Sequence, residues 1–535
     1  MTAAGTPAAG RFSAVSPSCL VGSAGRVAQA SPPGPAGVVP PSTATRQASV
    51  ARRALRSARP PAPQPPQRRA EPQPDQPDKP MQPDPRRIFG VETEYGLVHS
   101  LGQLTAEQMA RELFADLVAW GNSSNAFLAN GGRLYLDVGS HPEYATAECS
   151  TLEQLIAQVG AGDQLVSKLA DSAQSRLVEQ ALPGQIHVIK NNLDSAGHSF
   201  GCHENYLIRR SSDIAQLNRV LIPFLVARQL LAGAGCVKRS EHGAWYLVSQ
   251  RSDQVWETVS SATTRARPMI NTRDEVHADP ALYRRLHVIV GDSSMCQATL
   301  RFKVGSLDLV LRTHEAGAAL PQLDLADPVA ALRQISHHPD GLVDLAGGGQ
   351  ITGASILDAY LAAVVDYLFK DGAPTPADAA VLDLWQRGVD ALRSGDLTAI
   401  GGEVDWIIKR RLIDQYCQRH GVGLLDPMVA RLDLAYHDLG PDGLFRKLVA
   451  AGQAVAVVDP ERVADACLTA PATTRAHLRG RFITAVRAAA RPYTVDWSTL
   501  RLGGQQGHLL TLLDPFATTS EQLDSLLASL PEVVE

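Results

Sequence analysis

Two glutamates two residues apart, Glu92 and Glu94 in the run RIFGVETEYG (Arg87 to Gly96), stand in a stretch that otherwise reads as a β-strand. Successive strand side chains point to opposite faces, so both carboxylates share one face while Val91, Thr93 and Tyr95 line the other. A solvated strand edge would tolerate such a pair. So would a hard-metal site, in which oxygen ligands hold Mg2+ against the phosphates of a nucleotide. A second strand pattern, RLYLD, places Arg133, Tyr135 and Asp137 on one face and Leu134, Leu136 and Val138 on the other. Downstream, HPEYATAEC supplies Glu143, Thr146 and Glu148, where Pro142 is expected to take the chain out of the regular strand. A third segment, CHENY, adds His203 and Asn205 to one face opposite Tyr206 and Ile208. Singly, each has a bland reading as surface ion pair, solvated loop acid or core histidine. Three strands that each gather carboxylate, imidazole or guanidinium on one face imply more, because buried charge is costly unless metal, partner or substrate compensates it.

The elements that position these residues are legible as mixed helix and strand signals. Thr105 and Gln108 have capping-box spacing ahead of an apolar helix face formed by Met109, Leu113, Phe114, Leu117 and Val118. GGRLYLDVGS, GQIHVIKNN and HENYLIRR read as strands, and the segments around 212 to 233, 354 to 369, 376 to 394 and 403 to 419 read as helices. Without regular βαβ units, that mixture predicts an α+β fold. The most apolar stretch, Val220 to Gly233, is interrupted by Pro223 and Arg228 and is expected as a buried helix, not a membrane span. Residues 1–80, rich in Pro, Ala and Arg, are expected to be either a dispensable disordered tail or a disordered stretch upstream of the natural start. Beyond residue 70 the chain carries 41 basic and 55 acidic residues, since the first 70 hold nine of the 50 basic residues and no acid. That balance argues against general nucleic-acid binding. Seven scattered cysteines without a CxxC pair fit a reducing cytoplasm.

Taken together, RRIFGVETEYG, SSNAFLANGGRLYLDVGSHPEYATAEC, KNNLDSAGHSFGCHENYLI and SSATTRARPMINTRDEVHADPALYRRLHVIVGDS resemble the Pup ligases, the proteasome accessory factor A family of actinobacteria. The resemblance runs from about Arg86 nearly to the C-terminus. It implies the fold of carboxylate-amine ligases related to glutamine synthetase: a curved antiparallel sheet cradling ATP, helices behind it, a catalytic domain over 81–465 and a small C-terminal domain over 466–535 covering the nucleotide. It also implies a two-step reaction. ATP phosphorylates the side-chain carboxylate of the C-terminal glutamate of Pup, and a target lysine then attacks the acyl phosphate.

Carried over residue by residue, Glu92, Tyr135 and Glu143 resemble the family's Mg2+ ligands and Asp137 its proton acceptor, while Arg133, Thr146 and Trp497 resemble its ATP contacts. Glu94 and His203 are expected at a second metal position by analogy with glutamine synthetase, and Arg265 as a phosphate clamp. The partners implied are Pup and lysine-bearing target proteins, with no nucleic acid, no membrane and a monomeric ligase. Arg209, Arg210, Lys238 and Arg239 are expected to meet the acidic Pup. The alternatives are the Pup deamidase and depupylase on the same scaffold, a noncatalytic Pup-binding protein, and a ligase of free glutamate. Only 34 residues separate Gly96 from Gly131, leaving little room for the long loop of the depupylases, and YLDVGSHPEYATAE is the ligase-like form.

Overall fold

Period-two alternation builds an eight-stranded sheet from β1 (Phe89–Glu94), β2 (Asn125–Phe127), β3 (Arg133–Asp137), β4 (His141–Ala145), β5 (Cys202–Arg209), β6 (Glu257–Ser260), β7 (Pro268–Asn271) and β8 (Tyr283–Val288). The computed structural model describes residues 86–531, apart from 122, 195–196, 263–265, 372–373 and 504–506. The tail expected over 1–80 and the clamp candidate Arg265 lie outside the described residues. Spatial order in the sheet is β6-β7-β8-β5-β1-β4-β3-β2. Every neighbouring pair is antiparallel except β6 and β7, which run parallel at one edge. The glutamates of β1 therefore stand mid-sheet, between β5 and β4, and the solvated-edge reading fails.

One face of the sheet is apolar. Phe89, Val91, Cys202, Tyr206, Ile208, Leu286 and Val288 are buried in one continuous core with the helices behind them. The expected helices form as Ala106–Gly121, Ile214–Ala232, Gly353–Asp371, Pro376–Ser394 and Asp405–His420. Ile214–Ala232 is long and apolar enough to cross a membrane, yet most of it is buried inside the protein. Its interrupting Arg228 bonds Glu204 of β5 at 2.7 Å and the Lys303 carbonyl at 2.7 Å, which explains a cation in an otherwise apolar helix. Glu204 lies between His203 and Asn205, so this buried pair anchors the back of the strand whose front carries both.

A 28-residue helix, Leu152–Glu179, follows β4 directly. Its N-cap Thr151 accepts a hydrogen bond from the Gln154 amide, and the T-x-x-Q spacing was its available sequence signal. GQIHVIKNN does form a strand, Ile186–Ile189, but it pairs with Gly96–His99 in a separate ribbon outside the large sheet. Beyond the turn at Pro471, helix Ala476–Ala488, a three-stranded sheet spanning 493–511 and helix Glu521–Ala528 share a second apolar cluster. Phe127 of β2 closes that cluster, and residues 79–535 make up one compact unit.

Candidate active site

Strand register brings the acids together. Glu94 stands directly opposite Glu143, Glu143 opposite Tyr135 on its other side, Asp137 opposite His141, and Glu92 opposite His203. Side chains so paired have Cβ atoms only about 5 Å apart. Glu143 is thus on a central strand, contrary to the expectation that Pro142 ends regular structure there. A proline is admitted near a strand start, and the Pro142 carbonyl accepts a bond from the Tyr95 amide at 2.8 Å. Val138 also departs from expectation. The strand stops at Asp137, Gly139 (φ 85°) and Ser140 (φ 66°) turn the chain, and Val138 is left 83% exposed.

Two donor clusters result. Ligand atoms of Glu94, Asp137 and Glu143 lie within 4.8 Å of one another, as do those of Glu92, His203 and His287. Glu94 accepts a bond from the Gly201 amide at 2.7 Å, and a Cβ at Gly201 would displace the Glu94 carboxylate and the His203 ring from these positions. Glu92 accepts from Asn205 Nδ2 at 3.1 Å and lies 3.1 Å from His203 Nδ1. Arg285 and His287 stand 3.8 and 3.7 Å from its oxygens.

Electrostatics push the glutamates apart. Burial works to raise the Glu92 pKa, but the His203 hydrogen bond and the charges of His287, His203 and Arg285 hold it far below the usual carboxylate range. Glu143 goes the other way. Burial raises its pKa well above the ordinary value, the negative fields of Glu92, Glu94 and Asp137 add to this, and the Tyr135 hydrogen bond only partly opposes it. Burial and the neighbouring Glu143 and Glu92 keep Tyr135 a neutral phenol. A cation placed among these carboxylates would favour the ionised form of Glu143. The all-oxygen set suits Mg2+.

His287 escaped sequence reasoning. It is buried, neither ring nitrogen has a hydrogen-bond partner, and burial lowers its pKa to about 3 despite the opposing pull of Glu92. A neutral imidazole with unsatisfied buried nitrogens is costly unless a ligand completes it. Nothing in YRRLHV marked it as a ligand; folding sets it directly opposite Asn205.

A cleft of about 630 Å3 runs along β1 beside the Glu92 cluster, lined by Val91, Thr146, His277, Arg285, Arg475 and Trp497 among others. Thr146 Oγ1 accepts from the Val91 amide at 3.1 Å. Trp497 meets Phe127 edge-on at 4.9 Å. Arg133 is not part of this lining. Its guanidinium stacks over Tyr135 at 4.5 Å and donates to Asn125 Oδ1 at 2.8 Å. Sequence reasoning did not assign the cleft cations Arg285 and Arg475. Among the surface cations expected to meet an acidic partner, Lys238 pairs with Asp253, Arg210 with Asp274, and Arg239 donates to the Leu424 and Asp426 carbonyls. Lys238 and Arg239 line a second groove of about 1970 Å3 together with His141, Phe200, Asp253 and Asp433, so its charge is mixed.

Most of the chain matches one family. The profile of the Pup-ligase protein family matches residues 87–501, which span the sheet, both acidic clusters and Trp497. The chain belongs to that family. The Pup--protein ligase of Xylanimonas cellulosilytica is 50% identical over 455 residues, covering 83% of this chain and 100% of that one. That of Kribbella flavida is 50% identical over 451 residues, covering 83% and 100%. Among solved structures, the complex of the prokaryotic ubiquitin-like protein Pup with its ligase PafA aligns with TM-score 0.80 at 43% identity, covering 83% of this chain and 91% of that chain. The Pup ligase PafA in complex with ADP aligns with TM-score 0.73 at 43% identity, covering 80% and 94%.

In this Pup ligase Glu148, at the end of HPEYATAEC, enters neither acidic cluster. Burial alone would raise its pKa, but Arg479 and Arg475 hold it down to about 2. A carboxyl depressed on folding stabilises fully above its unfolded value, about 4.3, and loses that contribution as pH falls towards the folded value. Glu148→Gln should therefore flatten the fall in stability between about pH 4.5 and pH 2 and cost about 3 kcal/mol at pH 7. Denaturant unfolding across that pH range checks this; parallel profiles for parent and variant would refute it.

Proposed function

We infer that this chain is an ATP-dependent ligase joining the side-chain carboxylate of the C-terminal glutamate of Pup to lysine side chains of target proteins. Membership of the Pup-ligase family carries the reaction. The observation that carries the site is that Glu94, Glu143 and Asp137 gather in one donor group on the neighbouring strands β1, β4 and β3, and that Glu92 of β1 lines a cleft bordered by Thr146 and Trp497.

A carboxylate is a poor acyl donor until one of its oxygens becomes a phosphate leaving group. Phosphoryl transfer needs mainly positioning and charge neutralisation. Glu92, Tyr135 and Glu143 would hold Mg2+, with Glu94, His203 and His287 supplying further donors; bound there, the ion neutralises phosphate oxygens. In this cleft Thr146 and Trp497 would contact the nucleotide of ATP, and the glutamate end would take its Mg2+-bound phosphates. Arg133, an ATP contact by family resemblance, is held here by its stack on Tyr135 outside the cleft lining. Asp137, more exposed than Glu94 and Glu143, takes the proton from the incoming lysine ammonium so that the amine can attack the acyl phosphate. Phosphate leaves and an isopeptide bond remains.

The cytoplasm is the compartment that fits, because all six cysteines among the described residues are free thiols. A monomer is sufficient for the chemistry, since every group named above comes from one chain. Incubation with ATP and, in turn, Pup ending in glutamate, Pup ending in glutamine and free glutamate tests the assignment. ADP release and lysine conjugation are expected with Pup ending in glutamate alone. Turnover of free glutamate at a comparable rate, or cleavage of a Pup conjugate without ligation, would overturn it.

A further inference from the structure

Glu148 is the hub of a buried ion cluster that joins the large sheet to the C-terminal segment. Its carboxylate, 8% exposed as a residue, accepts from Arg475 Nε at 2.8 Å and from both terminal nitrogens of Arg479. The two arginines are four residues apart at the start of helix Ala476–Ala488, a spacing that puts both on one helix face. Their remaining donors reach outward. Arg479 donates to the Gly131 carbonyl at 2.7 Å, just ahead of β3, and to the Trp497 carbonyl at 3.0 Å. Its guanidinium also lies over the Trp497 ring at 5.1 Å and the Phe127 ring at 5.4 Å. Arg475 donates to the Leu512 carbonyl at 2.8 Å and lines the cleft.

We propose that Glu148, Arg475 and Arg479 form a clamp that positions Trp497 over the nucleotide cleft, with Arg479 as the positioning residue. The argument rests on the reading of that cleft as the ATP site. Trp497 is held twice by one side chain, at its carbonyl by a hydrogen bond and at its indole by cation stacking. Only a planar guanidinium can bridge a carboxylate and two carbonyls while stacking on aromatic faces; a lysine keeps the charge and loses the fork. Stability alone does not call for this cluster, since apolar replacements of buried ion pairs are often neutral or better. What the cluster adds is a fixed geometry. It ties Trp497 to Gly131 and hence to β3, the strand that carries Tyr135 and Asp137.

The test is a double-mutant cycle on ATP dependence with Pup saturating. Trp497→Ala is expected to raise the KM for ATP about tenfold, the scale of losing one base-stacking aromatic. Arg479→Lys should raise it by a similar factor, with kcat at saturating ATP changed less than about twofold because the acidic clusters are untouched. In the Trp497→Ala background, Arg479→Lys should add almost nothing. Multiplying effects on KM, or a fall in kcat from Arg479→Lys alone, would overturn the clamp. An unchanged KM in Trp497→Ala would instead remove the nucleotide reading on which it rests. Should Arg479→Lys not fold, Glu148→Gln replaces it in the same cycle, with the same suppression by Trp497→Ala expected and the same outcome refuting it.

Discussion

Glu92→Ala and Glu143→Ala are expected to abolish acyl-phosphate formation, with Pup-dependent ADP release falling on the order of 1,000-fold, the scale of losing one group that stabilises developing charge. Both residues face the cation position in the proposed site, and without either one the other acids repel the phosphates instead of recruiting the ion that neutralises them. The two variants should differ in stability. Glu143 stands opposite Glu94 in the ladder and carries a carboxyl that its surroundings hold above the normal ionisation range, so its removal relieves like-charge crowding. Glu92 is a hydrogen-bond partner of both His203 and Asn205, so its removal strands both. Without Mg2+, Glu143→Ala, which strands only Tyr135 and relieves crowding, should melt higher than Glu92→Ala. Normal ADP release with Pup present in both variants would refute the assigned roles, whatever the melting temperatures show.

Asp137→Asn should fold and bind ATP, yet ligate Pup to lysine roughly 100- to 10,000-fold more slowly, the usual range for losing a positioned general base. Asn keeps the shape and removes the basic oxygen. The geometry makes the experiment sharper than the strand pattern alone, because a ligand atom of Asp137 lies within 4.8 Å of both Glu94 and Glu143. Proximity would let it serve as ligand or as base, and the variant separates the two. If ADP release survives while lysine transfer is lost, it is the base. If ATP and Mg2+ binding are lost as well, Asp137 belongs to the metal site, and a near-parental ligation rate would exclude both roles.

The strand faces were readable because side-chain direction is a local property of an extended backbone. Val91, Thr93 and Tyr95 are buried behind Glu92 and Glu94, and Glu204 and Tyr206 behind His203 and Asn205. Where the reading failed, the cause was also physical. Proline reads as a strand end, but only its missing amide is restrictive, and the Pro142 carbonyl still pairs with Tyr95. Alternation puts Val138 on an apolar face, which a turn with two positive φ angles cancels.

Local chain chemistry sets which residues of each strand share a face, and with it the α+β class, the family resemblance and a short set of oxygen donors. Which strands become neighbours is settled only in the folded molecule. Register between distant segments follows from burying a common core, not from any local periodicity, so nothing near Glu94 announces Glu143 as its partner, nor anything near Glu92 announces His287. The same holds for Glu148, whose arginines lie more than 320 residues away in sequence and were brought to it only when the C-terminal helix packed against the sheet. Chain direction could be read from residue to residue; the charge environment of the site could not, because it is set by the segments that folding places opposite.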